Sequence, residues 1–117
     1  MNVQYKYRCR PGYNSEELLL EFFLEGGSVE FISALKAALA DLKIKIDFLQ
    51  DVSLHGVMLY KMLADGAEFR LTFDDNLDCV FIQSSQYQPG IKLIDQILMT
   101  SKQFKKEEVD FKNYRTV

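Results

Sequence analysis

The sequence predicts a single α+β domain in which two helices pack on one face of a curved, mainly antiparallel sheet. Two stretches repeat apolar residues at helical spacing, and most of the remaining chain alternates apolar and polar residues with the period of two that is typical of strands. The predicted order is β-(β)-α-β-β-β-β-α, with about five or six strands. The 117 residues, of which 48% are hydrophobic, are enough for one core. We therefore predict one domain over residues 1–117.

The amino-terminal part predicts a strand followed by a segment with two interpretations. Apolar positions alternate with polar ones at Val3, Tyr5, Tyr7 and Cys9, and Pro11-Gly12 then favours a turn. Residues 17–25 fit either a second strand or a helix capped by Ser15. A helix would stack Glu17, Glu21 and Glu25 at repulsive i, i+4 spacing. We favour the strand, paired with the first as a hairpin.

The middle of the chain predicts a helix and then four strands. Ser28 can cap a helix whose apolar stripe includes Phe31, Leu35 and Leu39. Alternating patterns then predict strands near 44–48, 57–63, 69–73 and 79–82. Because the links between these strands are short, we expect an antiparallel meander.

The carboxy-terminal part predicts a second helix that opens at Pro89-Gly90. Its expected apolar side carries Ile91, Ile94, Ile97 and Leu98, and its expected polar side carries Lys92, Asp95 and Gln96. Residues 102–117 are basic and aromatic, and they fit a terminal strand, a short helix or a tail. The predicted shared core consists of Phe31, Leu35, Leu39, Ile46, Phe69, Leu71, Phe81, Ile94 and Ile97.

Residues that could perform chemistry are few and scattered. The single histidine, His55, has no recognisable nucleophile or orienting carboxylate in a motif around it. Cys9 and Cys79 match no zinc or redox spacing, and we expect both to be buried, reduced thiols. The stretch 74–78 begins like a calcium loop but lacks the required glycine and the final glutamate. We predict no catalytic residue, no metal and no cofactor, so the protein is not expected to be an enzyme.

Charge is distributed unevenly along the chain, which has a net charge of −3. Residues 11–30 contain five glutamates and no basic residue, and residues 65–78 are also acidic. Exposed acidic segments attract basic partners and repel nucleic acid. The predicted partner-binding residues are Glu17, Glu21, Glu25, Asp74, Asp75 and Asp78.

These observations predict a small acidic protein-binding module. One specific version is an inhibitor or immunity-type protein that covers the basic site of a toxin or nuclease. The alternative is a small-ligand-binding or enzymatic domain with a pocket between helix and sheet, lined by Tyr5, Tyr7, His55 and Tyr60. The composition disfavours a nucleic-acid partner, and homo-oligomers are left open. Without an apolar leader or a membrane-length apolar run, the expected location is the cytoplasm, with no membrane contact.

Overall fold

The computed structural model of the chain describes residues 5–11, 17–24, 28–52, 56–74, 79–84 and 87–107. The strands are β1 (Tyr5–Pro11), β2 (Leu18–Phe23), β3 (Lys45–Val52), β4 (Val57–Ala64), β5 (Ala67–Asp74), β6 (Cys79–Gln83) and β7 (Phe104–Lys106). The helices are α1 (Ser28–Ala38) and α2 (Gln88–Met99), and a short 3-10 helix spans Ala40–Leu42. The predicted α+β class is confirmed.

The seven strands of the described residues form one sheet in the order β3-β4-β5-β6-β2-β1-β7. Strands β3 to β6 pair antiparallel with their neighbours, which confirms the predicted meander. The sheet has one strand more than the largest predicted number, because Phe104–Lys106 adds β7 parallel to β1. This strand resolves part of the prediction for residues 102–117, and residues 108–117 lie outside the described residues.

The ambiguous segment 17–25 contains a strand, as favoured. Leu18–Phe23 pairs antiparallel with β1, so that Tyr7 lies opposite Phe22 and Arg8 lies opposite Glu21. Leu20 and Phe22 face the core and are fully buried. A helix would instead have turned Leu18, Leu19, Phe22 and Phe23 to one face. The pairing with both β1 and β6 decides in favour of the strand.

Both helices bury their apolar stripes on the same face of the sheet. One core cluster contains Phe31 and Leu35 of α1, Ile91 and Ile94 of α2, and the strand residues Tyr5, Tyr7, Leu20, Phe22, Met62, Leu71, Phe73, Val80 and Ile82. Of the predicted core, Ile46 and Ile97 are only partly buried against this cluster. None of the helices in the described part of the chain is long and apolar enough to cross a membrane.

The prediction that Phe81 belongs to the shared core is wrong. Val80 and Ile82 point toward the helices, so Phe81 between them points to the opposite face of β6, where it is half-buried. There it lies opposite Glu21, and the Arg10 guanidinium carbon lies 5.9 Å from its ring centroid. The alternation of side chains along a strand explains the correction.

Candidate functional site: a cleft at the acidic end of the sheet

A small cleft lies between the first turns of α2 and the β4–β5 hairpin. Its volume is about 40 Å³, and its walls are formed mainly by Leu42, Ala64, Phe69, Tyr87 and Leu93, with Asp65 beside them. Tyr87 remains 46% exposed and Leu93 remains 43% exposed. The cleft is therefore an open apolar depression, with room for the end of one side chain.

The hairpin side of the cleft follows from local turn chemistry. Asp65 and Gly66 both have positive φ, at 51° and 83°, between the paired residues Ala64 and Ala67. Two consecutive residues with positive φ match the twist of the flanking strands, and Asp-Gly is a preferred sequence for such turns. The backbone N–H of Asp65 donates to the carbonyl oxygen of Leu42 at 2.7 Å. This bond holds the 3-10 helix against the hairpin.

The helix side of the cleft is held by Gln88, the first residue of α2. Its side-chain amide nitrogen donates to the carbonyl oxygens of Leu18 at 3.1 Å and Ser84 at 2.7 Å. Its side-chain oxygen accepts from the Leu18 backbone N–H at 2.6 Å. The N–H of Tyr87 donates to the Ser84 hydroxyl at 3.0 Å. These bonds connect the start of α2 to β2 and to the end of β6.

Gly90 allows the aromatic wall of the cleft to form. A Cβ atom at this position would overlap Tyr87 Cδ1 and would lie 2.6 Å from Phe69 Cζ, closer than real Cβ atoms approach their neighbours. The Phe69 and Tyr87 rings meet edge to face, with centroids 6.4 Å apart. The missing side chain of Gly90 thus determines where Tyr87 lies.

Exposed carboxylates lie on the elements that form the cleft. Asp65, in the hairpin turn, lines the cleft, and Asp41 of the 3-10 helix immediately precedes Leu42 of its wall; both are exposed. Glu68 of β5 is also exposed, but it lies opposite Leu63 on the face of the sheet away from α2. Lys43, also exposed, is the only lysine or arginine among residues 41–44, so Asp41, Asp65 and Lys43 together remain negatively charged. We call Asp41, Asp65, Tyr87 and Leu93 the acidic end. Charges at such a surface act over about 8 Å at physiological ionic strength.

The acidic end differs from the predicted acidic surface. Of the predicted residues, Glu17 is exposed and lies next to Leu18, which bonds to Gln88 at the start of α2. Asp74 is half-buried at the far end of β5, opposite Val57 and Cys79. Glu25, Asp75 and Asp78 lie outside the described residues. Asp65 belongs to the predicted acidic segment 65–78, but neither it nor Asp41 was among the predicted partner-binding residues; the bond from the Asp65 N–H to the Leu42 carbonyl oxygen brings their two segments together.

Glu21 is buried and does not belong to an exposed acidic surface. Its carboxylate accepts from Arg10 Nε at 3.1 Å and from Arg10 Nη2 at 3.2 Å. The two side chains are only 11% and 14% exposed. Because β1 and β2 are neighbours, the arginine beside the strand neutralises this glutamate within the fold, and its inclusion in the partner-binding set is corrected.

The tyrosines predicted to line a ligand pocket pack against other side chains. Tyr5 and Tyr7 are 3% and 0% exposed and lie in the core. Tyr60 is half-buried between Phe48 and Phe73, with ring centroids 5.4 and 5.3 Å away. None of these three lines the cleft described above. His55 lies outside the described residues.

A buried polar cluster that the sequence analysis missed joins α2 to the edge of the sheet. The Tyr7 hydroxyl donates to Asp95 Oδ1 at 2.9 Å, and Lys106 Nζ donates to Asp95 Oδ2 at 2.7 Å. Asp95 was expected on the polar side of the helix, but it is only 8% exposed. Positions 91, 94, 95 and 98 follow the i, i+3, i+4, i+7 pattern of one helix face, and this spacing could have revealed the burial.

The surroundings of the Tyr7 hydroxyl and of the nearby Cys9 thiol favour the neutral, unreactive form of both groups. Burial, followed by the hydrogen bond to Asp95, strongly raises the pKa of the Tyr7 hydroxyl. Burial also raises the pKa of the Cys9 thiol, although Lys106 and Lys92 act in the opposite direction. A thiol with a raised pKa is a poor nucleophile at neutral pH. We interpret the cluster as a structural connection between α2, β1 and β7.

Comparison with known proteins gives no match: no family model, no curated protein and no solved structure matches this chain. Among the residues that the structure describes, no three His, Cys, Asp or Glu side chains are grouped so that they could hold a metal ion. The geometry of the acidic end is therefore the basis for a functional proposal.

Proposed function

We propose that this protein is a non-enzymatic protein-binding module that binds a basic partner at the acidic end. The observation that carries the proposal is an apolar cleft with two half-exposed side chains, Tyr87 and Leu93, lined also by the exposed Asp65 and adjoined by the exposed Asp41, which precedes Leu42. Protein interfaces commonly combine a few aromatic or apolar anchors with a polar rim. Here the rim is acidic, which favours a partner with lysine and arginine around an apolar side chain.

A specific version of the proposal is an inhibitor or immunity-type protein that covers the basic site of a toxin or nuclease. Opposite charges on two proteins accelerate their encounter and exclude partners of the wrong sign. The small apolar cleft would then accept one anchoring side chain of the partner. Because the carboxylates are exposed, they stay hydrated in the unbound protein and lose this hydration only when the partner covers them.

The size of the cleft favours a protein side chain over a small ligand at this place. Ligand pockets usually have volumes of roughly 300–1,000 Å³ and bury most of the ligand. The cleft at the acidic end offers about 40 Å³ and is open to solvent. It therefore suits an anchoring side chain whose remaining contacts come from the surrounding surface.

The test begins with affinity capture by three immobilised proteins: the wild type, Leu93→Glu and Met99→Glu. Leu93 and Met99 are both exposed residues of α2, but only Leu93 lines the cleft. Met99→Glu is therefore a matched control for the added charge. A relevant partner is retained by the wild type and by Met99→Glu and is lost with Leu93→Glu. Circular dichroism of all three proteins checks that the fold is kept.

Association kinetics with the purified partner then test the charges. Asp65→Lys should slow association roughly tenfold at low salt, and the effect should shrink as salt is added. Glu30→Lys is the control, because Glu30 is also exposed but lies in the first turn of α1, at the end of that helix away from Asp41. Equal association rates for the wild type, Asp65→Lys and Glu30→Lys would contradict the acidic-end proposal.

A further inference from the structure

The two edges of the sheet differ in length and in the residues they expose. At one edge, β7 has only three residues, and two of them are the exposed lysines Lys105 and Lys106. At the other edge, β3 has eight residues and, within the part of the chain that the structure describes, pairs with β4 alone. Short edges with lysines discourage strand pairing between molecules, whereas long edges with apolar side chains favour it. The edge formed by β3 is therefore the candidate for contact with another chain.

The centre of β3 exposes two large apolar side chains. Phe48 is 56% exposed and Leu49 is 57% exposed. The Phe48 ring touches Tyr60 of the neighbouring strand, and Leu49 is the additional residue of a bulge between the pairs Phe48–Tyr60 and Gln50–Leu59. The most apolar part of the edge thus lies at its midpoint.

The bulge also changes which face of the sheet each residue occupies. Before it, Lys45 and Asp47 pair with Leu63 and Lys61 on the face away from the helices; after it, Gln50 pairs with Leu59 on that same face. Ile46 and Phe48 lie on the helix side. Because of the additional residue, β3 has nearly the same succession of helix-side and opposite-side positions whether it is followed from its first residue or from its last.

We propose that two copies of this chain associate through antiparallel pairing of their β3 strands about a twofold axis. In the register that keeps both sets of helices on one side of a continuous sheet, Phe48 lies opposite Leu49 of the second copy. Asp47 then lies opposite Gln50, so no like charges face each other. A shift that places Asp47 opposite Asp47 also keeps the faces but brings two carboxylates together, which is unfavourable. The twofold symmetry makes the contact self-complementary and closed.

The occupant is a second copy because the edge complements itself. Pairing would cover four exposed apolar side chains, Phe48 and Leu49 from each chain, at the symmetry axis. A bulge at an edge often prevents such pairing. In the proposed register the two bulges lie opposite each other, so the additional residue of each strand faces the bulge of the other.

The first experiment is sedimentation equilibrium of the purified chain from micromolar to millimolar concentration. The wild type should shift from monomer to dimer, and Phe48→Asp should remain a monomer across the range. Val29→Asp is the control, because Val29 is 74% exposed on α1, away from β3. A wild type that stays monomeric, or a Phe48→Asp variant that dimerises like the wild type, would overturn the proposal. Thermal melts confirm that each variant is folded.

The second experiment reads the register by cross-linking. Directly opposed residues of an antiparallel pair have Cα atoms about 4.5–5.5 Å apart, which a disulfide can span. Oxidation of the double variant Asp47→Cys/Gln50→Cys should link two chains, because each new cysteine faces the other type in the second copy. Asp47→Cys alone should not form the link. Cross-linking by Asp47→Cys alone, or none by the double variant, would refute this register.

Discussion

Removing the Tyr7 hydroxyl tests whether the buried Asp95 cluster stabilises the fold. In Tyr7→Phe the ring, which is fully buried, keeps its place, so the change removes one oxygen and creates almost no cavity. The lost bond is the 2.9 Å contact with a carboxylate that is itself 8% exposed. Hydrogen bonds to charged groups contribute about 1.5–3 kcal/mol, so we expect this loss in the free energy of unfolding.

The other members of the cluster should have graded effects. Lys106 is 35% exposed at its side chain, so water replaces part of its interaction, and Lys106→Met should cost only about 0.5–1 kcal/mol. Asp95→Ala removes the acceptor for both partners and should cost more than either change alone. In the Asp95→Ala background, Tyr7→Phe should cost about 1 kcal/mol less than in the wild type, because the shared bond is already absent.

The assay is urea denaturation at neutral pH, followed by circular dichroism. Tyr87→Phe is the matched control, because it removes the same hydroxyl from a half-exposed ring and should change stability by less than about 0.5 kcal/mol. If Tyr7→Phe is as neutral as this control, the hydrogen bond does not stabilise the fold. An equal cost of Tyr7→Phe with and without Asp95 would show that the two groups are not coupled.

Three further predictions concern other parts of the structure. Gly90→Ala should destabilise the fold by about 1–3 kcal/mol in thermal melts and displace Tyr87, because the new methyl group overlaps that ring. If stability and tyrosine fluorescence are both unchanged, this packing of Tyr87 is contradicted. Cys9 and Cys79, which are 8% and 5% exposed, should react with a thiol reagent only after denaturant is added, and rapid labelling of the native protein would contradict their burial. In the folded state the raised pKa of Tyr7 keeps its hydroxyl neutral, whereas tyrosine in the unfolded chain ionises near pH 10. The stabilisation that the Tyr7 hydroxyl contributes is therefore fully present below about pH 10 and is lost as the pH rises further. The loss should be smaller in Tyr7→Phe, and identical pH profiles in denaturant melts would be evidence against the shift.

Local patterns in the sequence were sufficient for most elements. Alternation identified the strands of the meander, and the stripe of Phe31, Leu35 and Leu39 identified α1, because each element has its own periodicity and must bury one face. The strand β7, Phe104–Lys106, is too short to give a periodic signal in the sequence. It forms because β1 offers an open edge for pairing.

Local patterns gave the wrong burial for residues whose side chain could be accommodated either in the core or at the surface. Phe81 is large and apolar, which favours the core, but its neighbours Val80 and Ile82 occupy the core side of β6. Asp95 is charged, which favours solvent, but Tyr7 and Lys106 provide partners from two other strands. Hydrophobicity alone cannot predict such burial, because a buried charge is tolerated only when its partners are present.

The sequence by itself determined the α+β class, the meander and the apolar stripes of the two helices, because periodicity and turn chemistry act between residues close together in the chain. Only the tertiary structure decided which charges are exposed and which residues meet. Glu21 is neutralised by Arg10 across a strand pair, while Asp65 stays exposed and lines a cleft whose aromatic wall can form because position 90 is glycine. These outcomes depend on contacts between distant segments, and the free energy of a charge depends on those contacts and on the water that remains around it.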